Sequence, residues 1–251
     1  VLGIGNEYNE DSESDKTSID IVNLQWDDNK TQNNLLDYMI PMVDVSGSMS
    51  TDNNIPLYNA IGLGIRIAEQ SKFGKRCLTF SEKPSWINLQ QCDSFCSCVE
   101  YLRAAPWGMN TNFNGALNMI LHHIKETKLS AQEVSQLTLV VLSDMQFDAS
   151  TKNVAGMQAP IDKVIGEQYE KIGIEICGTP YKPPRIVFWN LRQTNGFPTI
   201  SFRTGVSMIS GYSPQLMNSF MEQGSKAVQD YNPYNILKGI LDAPRYKFLQ
   251  V

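Results

Sequence analysis

Tyr38-Met39-Ile40-Pro41-Met42-Val43-Asp44-Val45-Ser46-Gly47-Ser48-Met49 decides how this chain is read. An apolar run ends in a carboxylate, and two hydroxyls follow at alternate positions around a glycine. An apolar run of about four to eight residues closed by a Gly-containing turn reads as a buried strand of a parallel sheet. Asp44, Ser46 and Ser48 then stand on the loop beyond its carboxyl end, where open α/β sheets place their ligands. Three hard oxygen donors packed this closely suit a hard divalent cation, and Gly47 lets the backbone fold tightly around it. Taken alone, a Ser-rich turn after a strand is often only a turn.

Two later stretches supply the missing donors. Trp107-Gly108-Met109-Asn110-Thr111-Asn112-Phe113-Asn114 marks a loop-to-helix junction and offers Thr111 as a fourth oxygen. Leu137-Thr138-Leu139-Val140-Val141-Leu142-Ser143-Asp144 is a second buried-strand pattern ending in a carboxylate. In a doubly wound sheet, two such strand ends and a helix start converge at one edge. The D-x-S-x-S loop, then Thr111, then Asp144 resembles the metal-ion-dependent adhesion site of von Willebrand factor A domains.

The bulk numbers narrow the class. At 251 residues and 42% hydrophobic content, the chain can bury one large core or two small ones, and a single α/β domain with elaborations is the simpler reading. A net charge of −5 and a pI near 5.1 argue against a general nucleic-acid or membrane surface, because phosphate binding needs clustered Lys and Arg. No apolar run approaches the roughly 20 residues of a membrane span. No signal peptide is visible from Val1 onward, and the missing initiator Met is read as the mark of a fragment or processed chain. Of the five cysteines, Cys77 and Cys177 are expected as reduced core residues. Cys92, Cys96 and Cys98 invite a zinc reading, but no His stands near to complete four ligands, and helix packing is preferred. An intracellular, reducing compartment fits this usage.

Residues 1–18 are acidic and polar, and read as a flexible lead-in. Residues 19–26 carry enough apolar content for an ordered approach, with Trp26 as an anchor, and 27–34 read as a polar connection. After the Asp44 loop, 55–68 read as a helix with Pro56 in its first turn. Gly62 and Gly64 cost it roughly 1 kcal/mol each against Ala, which close packing on the sheet would offset. Strands are expected at 77–80 and, at the sheet edge after Pro84, at 85–89. A helix follows at 93–104 with Phe95, Val99 and Leu102 inward. The spacing of Phe113, Leu117, Ile120, Leu121 and Ile124 predicts a helix over 113–127, with His122 and His123 away from the metal end. Ser130-Ala131-Gln132-Glu133 is a capping-box start. Beyond the 137–144 strand come a helix at 161–172, strands at 185–191 and 205–211, and terminal helices at 214–222 and 233–241. Strands alternating with helices indicate a mostly parallel sheet covered on both faces, a doubly wound α/β fold.

The likeness extends along most of the chain. VDVSGSMS (43–50), TFSEKPSW (79–86), WGMNTNFNGAL (107–117), VLSDMQFD (141–148), IVFWNLR (186–192) and GVSMISGYS (205–213) follow in order, with Leu24-Gln25-Trp26 upstream. Together they resemble the family called domain of unknown function 2828, found in plants, fungi and giant viruses, whose C-terminal half is von Willebrand factor A-like. The resemblance implies that residues 19–251 form such a Rossmann-like domain with a C-terminal helical extension. It implies an Mg²⁺ (or Mn²⁺) ion ligated directly by Ser46, Ser48 and Thr111, with Asp44 and Asp144 acting partly through water. Met109-Asn110 intervene before Thr111 where the family is richer in glycine. Members usually carry a helical N-terminal region, and the superfamily includes the Ro ribonucleoprotein, whose comparable domain sits beside an RNA-binding ring. The Asn-rich composition fits a giant-virus source, which would admit a virion location.

The preferred function is a non-enzymatic module that holds Mg²⁺ and captures an Asp or Glu of a protein partner, since neutral hydroxyl ligands leave charge on the ion. Three alternatives stand beside it. A structural or virion component would keep only the fold. An RNA-associated, Ro-like protein would bind through the absent N-terminal region, because Arg185, Arg192, Arg203, Arg245 and Lys247 are scattered here. A metal-dependent hydrolase or phosphotransferase would need a nucleophile and an acid or base, and Asp148 is the only extra carboxylate near in sequence. No membrane partner is expected.

Overall fold

The computed structural model describes residues 7–29, 36–79, 81, 83–105, 113–145, 160–192 and 206–212, with Phe220, Lys238 and Leu241. Six strands form one sheet: β1 (Met39–Val43), β2 (Arg76–Thr79), β3 (Trp86–Asn88), β4 (Thr138–Ser143), β5 (Arg185–Asn190) and β6 (Val206–Ser210). Their order is β3-β2-β1-β4-β5-β6. All neighbours run parallel except β2 and β3, whose antiparallel pairing puts the short β3 at the edge. The helices are α1 (Glu7–Asp28), α2 (Ile55–Gln70), α3 (Phe95–Arg103), α4 (Phe113–Thr127), α5 (Ala131–Gln136) and α6 (Pro160–Cys177). This is the doubly wound α/β fold that the alternating pattern predicts.

Strand periodicity divides the core into two layers. Met39 and Val43 of β1, Val140 and Leu142 of β4, and Val187 and Trp189 of β5 pack with α2 and α3 residues. The intervening Ile40, Met42, Leu139, Val141 and Phe188 pack with α4 and α6. Successive side chains of a strand point to opposite faces, so strands apolar throughout need helices on both sides. Pro41 stands in β1, one of the two central strands of the sheet, a place that proline rarely takes. The Asp44 amide donates to the Leu142 carbonyl, so the alternation along β1 turns the Pro41 nitrogen toward β2. There the ladder begins only at Met42 opposite Leu78, and no β1–β2 pair is lost.

Local signals explain the connections. Both α3 and α5 begin with capping boxes, Ser94 with Ser97 and Ser130 with Glu133. Pro56 lies in the first turn of α2. A Cβ on Gly64 would run into Val43 Cγ2, so this glycine lets α2 lie close against β1. The same reason does not extend to Gly62, where a Cβ would meet nothing within 4 Å.

Three expectations need correction or limits. The lead-in does not stay polar coil up to residue 18: α1 is helical from Glu7, and a carboxylate-rich start suits the positive end of a helix. Cys177 is exposed rather than part of the core, since it ends α6 and its thiol reaches the Gly173 and Thr179 carbonyls. The terminal helices at 214–222 and 233–241 lie outside the described residues apart from Phe220, Lys238 and Leu241, which are helical. Trp26 does anchor α1: its ring stacks on Phe95 at 3.9 Å, Arg66 lies over it at 3.7 Å, and its indole N–H reaches Glu69. No helix among the described residues is long and apolar enough to cross a membrane.

Candidate functional site

The chain leaves β1 toward α2 on one side of the sheet and builds β4, β5 and β6 on the other, so β1 and β4 flank the switch point. Crevices at the carboxyl ends of such strands are where open α/β sheets bind ligands. Asp44 follows β1 there, and Asp144 follows β4. The β1–β4 register pairs Val43 with Leu142, so the two carboxylate-bearing turns start almost side by side.

Each turn is pinned from below. The Ser46 amide donates to Asp44 Oδ1 at 2.9 Å, an Asx-type closure. Met49 is fully buried and its amide donates to the Ser46 carbonyl, so the loop is tied to the α2-side core. Met145 does the same beyond Asp144: it is buried in the opposite layer, with φ of 58°, and its amide donates to Ser143 Oγ. Asp44 and Asp144 are therefore buried, at 2% and 0% exposure, while Ser46 and Ser48 stay half-exposed above them. Solvent reaches the hydroxyls, not the carboxylates.

Ser46 Oγ and Ser48 Oγ lie 3.0 Å apart, close enough to share a hydrogen bond. The Ser143 hydroxyl donates to Asp44 Oδ2 at 2.7 Å. Burial pushes the Asp44 carboxyl above its ordinary range; hydrogen bonds from Ser143 and Ser46 pull it back, and the charge of Asp144 pushes it up. A cation placed here would relieve that penalty, because it favours the ionised form. Arg192, just past β5, brings Nη1 to 3.6 Å from Asp144 Oδ2. Its own amide donates to the side chain of buried Asn190, which fixes the turn.

Four of the five residues expected as donors are thus placed. Asp44, Ser46 and Ser48 form one loop with Asp144 beside it; Thr111 lies outside the described residues, as does Asp148. Ser143 and Arg192 join this site without any sequence motif that marks them for it. Ser143 precedes the expected carboxylate by one residue, and Arg192 sits in the IVFWNLR stretch, so their proximity is legible only once the strand register is known. His122 and His123 line a separate cavity of about 140 Å³ with Arg76, Trp86, Met119 and Glu126. Arg76 begins β2 and so lies toward the amino ends of the strands, the edge away from Asp44.

The donor set has a definite chemistry. Among the described residues no three His, Cys, Asp or Glu side chains converge as a metal-binding group. Two hydroxyls over two carboxylates instead make an all-oxygen set, which suits a hard cation and not zinc or copper. Adjacent octahedral ligands at roughly 2.0–2.1 Å from Mg²⁺ lie about 2.8–3.0 Å from each other. The Ser46–Ser48 separation of 3.0 Å matches that edge.

Comparison with known proteins gives a family of unknown function. The model described as "Domain of unknown function (DUF7788)" matches residues 38–238, which includes all six strands and the whole candidate site. The chain is also similar to "Uncharacterized protein L728" of Acanthamoeba polyphaga mimivirus, at 31% identity over 233 residues. That alignment covers 88% of this chain but 36% of the viral protein, so the chain spans about a third of its relative's length. The motif order points to domain of unknown function 2828; the family that matches is DUF7788, and the mimivirus protein is a giant-virus relative. From its central strand to beyond its last, the chain belongs to the DUF7788 domain family.

Proposed function

We propose that the chain is a von Willebrand factor A-like, non-enzymatic binding module that holds Mg²⁺ (or Mn²⁺) at Ser46, Ser48, Asp44 and Asp144, with Thr111 as a further donor. The observation that carries the reading is the 3.0 Å Ser46–Ser48 hydroxyl pair, half-exposed above two buried carboxylates at the switch point of the sheet. When bound, the ion supplies a Lewis-acidic charge open to an outside oxygen ligand. The protein's own residues do the rest. Ser46 and Ser48 present neutral oxygens, Ser143 orients Asp44, and the buried carboxylates balance charge without filling the outer face. An Asp or Glu of a protein partner is the group that such a face attracts.

The two histidines line a separate cavity with Arg76 and Trp86, beside β2 and β3. The basic residues of the RNA alternative are likewise divided, with Arg185 opening β5 and Arg192 beyond its far end. The mimivirus relative keeps the virion alternative in view without assigning it a role.

Thermal unfolding with Mg²⁺ or with EDTA tests the metal half. Binding to the folded state alone stabilises it by about 1.4 kcal/mol at ten times the Kd. A metal-dependent rise in Tm in the parent, lost in Ser46→Ala/Ser48→Ala, supports the reading; no rise in the parent removes it.

A further inference from the structure

Asp44 and Asp144 together match the two charges of a divalent ion, so without a further cation the site attracts an anion only through the ion's local field at its open face. Arg192 alters that balance. Its turn is held in two ways: its amide donates to Asn190 Oδ1 at 3.0 Å, and the Leu191 amide donates to the Ser143 carbonyl at 2.9 Å. The guanidinium therefore stands at the carboxyl edge of the sheet, beside β4 and over Asp144. Its Nη1 is 3.6 Å from Asp144 Oδ2, a close charge neighbour but longer than a hydrogen bond, and the side chain is 27% exposed against 1% for Asp144.

We propose that Arg192 is the second contact for the partner's carboxylate: the ion takes one oxygen and the guanidinium the other. This rests on the metal-site reading above and deepens it. A planar fork of N–H donors suits a carboxylate better than a point charge does. With Arg192 counted, the loaded site carries one net positive charge, which selects an anionic group over a neutral carbonyl or water. The same charge opposes the ion itself, so Arg192 weakens metal binding and strengthens anion binding. A residue that merely held Asp144 in place would support both together.

The experiment uses Mn²⁺ as the ion and glutarate as the carboxylate probe. Mn²⁺ affinity is measured by calorimetry, and glutarate binding to the Mn²⁺-loaded protein by paramagnetic relaxation of the glutarate carbons. Parent, Arg192→Lys and Arg192→Gln are compared after circular dichroism confirms the fold, with Arg192→Met replacing Gln should that variant not fold. The neutral variant is expected to bind Mn²⁺ at least as tightly as the parent and glutarate about tenfold more weakly, as for loss of one charge-assisted hydrogen bond. Lys should recover part of the glutarate affinity. Unchanged glutarate affinity in the neutral variant overturns the proposal, as does a parallel loss of both affinities. A parent that binds Mn²⁺ normally while Arg192→Gln leaves glutarate unaffected defeats this inference alone. A parent that binds no Mn²⁺ defeats the metal reading, and this inference with it.

Discussion

Ser143 Oγ donates a 2.7 Å hydrogen bond to Asp44 Oδ2, joining the last residue of β4 to the carboxylate that ends β1. Asp44 is 2% exposed, so this hydroxyl replaces water that burial has taken away. The same oxygen accepts the Met145 amide and so ties both carboxylate turns together. Replacing Ser143 with Ala is expected to cost about 1–3 kcal/mol, the range for leaving a buried polar partner unsatisfied. Urea unfolding of the metal-free protein measures it, and a stability equal to the parent's would mean that the bond holds nothing.

Gly62 and Gly64 occupy the same helix but face different surroundings. Gly64→Ala drives a methyl into Val43 at the foot of the Asp44 turn, and is expected to destabilise by about 1–3 kcal/mol. Gly62→Ala meets open space and is expected to stabilise by about 0.5–1 kcal/mol through helix propensity. Opposite signs in denaturant midpoints are the diagnostic result.

Trp26 fastens α1 to the body of the domain through Phe95, Arg66 and Glu69. Ile21 and Leu24 on the same helix are exposed at 49% and 64%, so little apolar burial holds it otherwise. Trp26→Ala is expected to release the helix locally, and cleavage at Lys16 by trypsin should quicken while near-UV signals from the sheet persist. Unchanged cleavage would place the anchor elsewhere.

His123 gives the fold a pH dependence with a definite sign. Burial holds its pKa below the ordinary value, the charge of Arg76 adds to this, and Glu126 opposes it. As pH falls below about 6.5, the unfolded chain takes up the proton first. Stability from this group is therefore complete above that pH and is lost as pH falls through the lowered folded value. Urea midpoints between about pH 7.5 and pH 5 should decline in the parent and less so in His123→Gln. Equal slopes would exclude the residue.

The sequence makes the sheet and its loop readable because the signals are local. Runs such as Leu139 to Leu142 are apolar at every position, as strands covered on both faces must be, and hydroxyls right after such a run stand out. What decides the rest is register. Ser143 looks like the end of a strand until β1 is set against β4, and Arg192 looks like one scattered cation until β5 is set beside them. The helical start of α1 is hidden for a different reason, since a polar segment carries no periodic apolar face to reveal it. Cys177 has an apolar sequence context but is exposed, because neighbours such as Ile174, itself 59% exposed, do not bury the end of a helix.

Calorimetric titration of Mg²⁺ and Mn²⁺ into parent and Asp44→Ala protein tests the metal site most directly. Saturable one-site binding is expected in the parent and none in the variant, with circular dichroism unchanged between them. Equal affinity in the two proteins, or no binding in the parent, would contradict it.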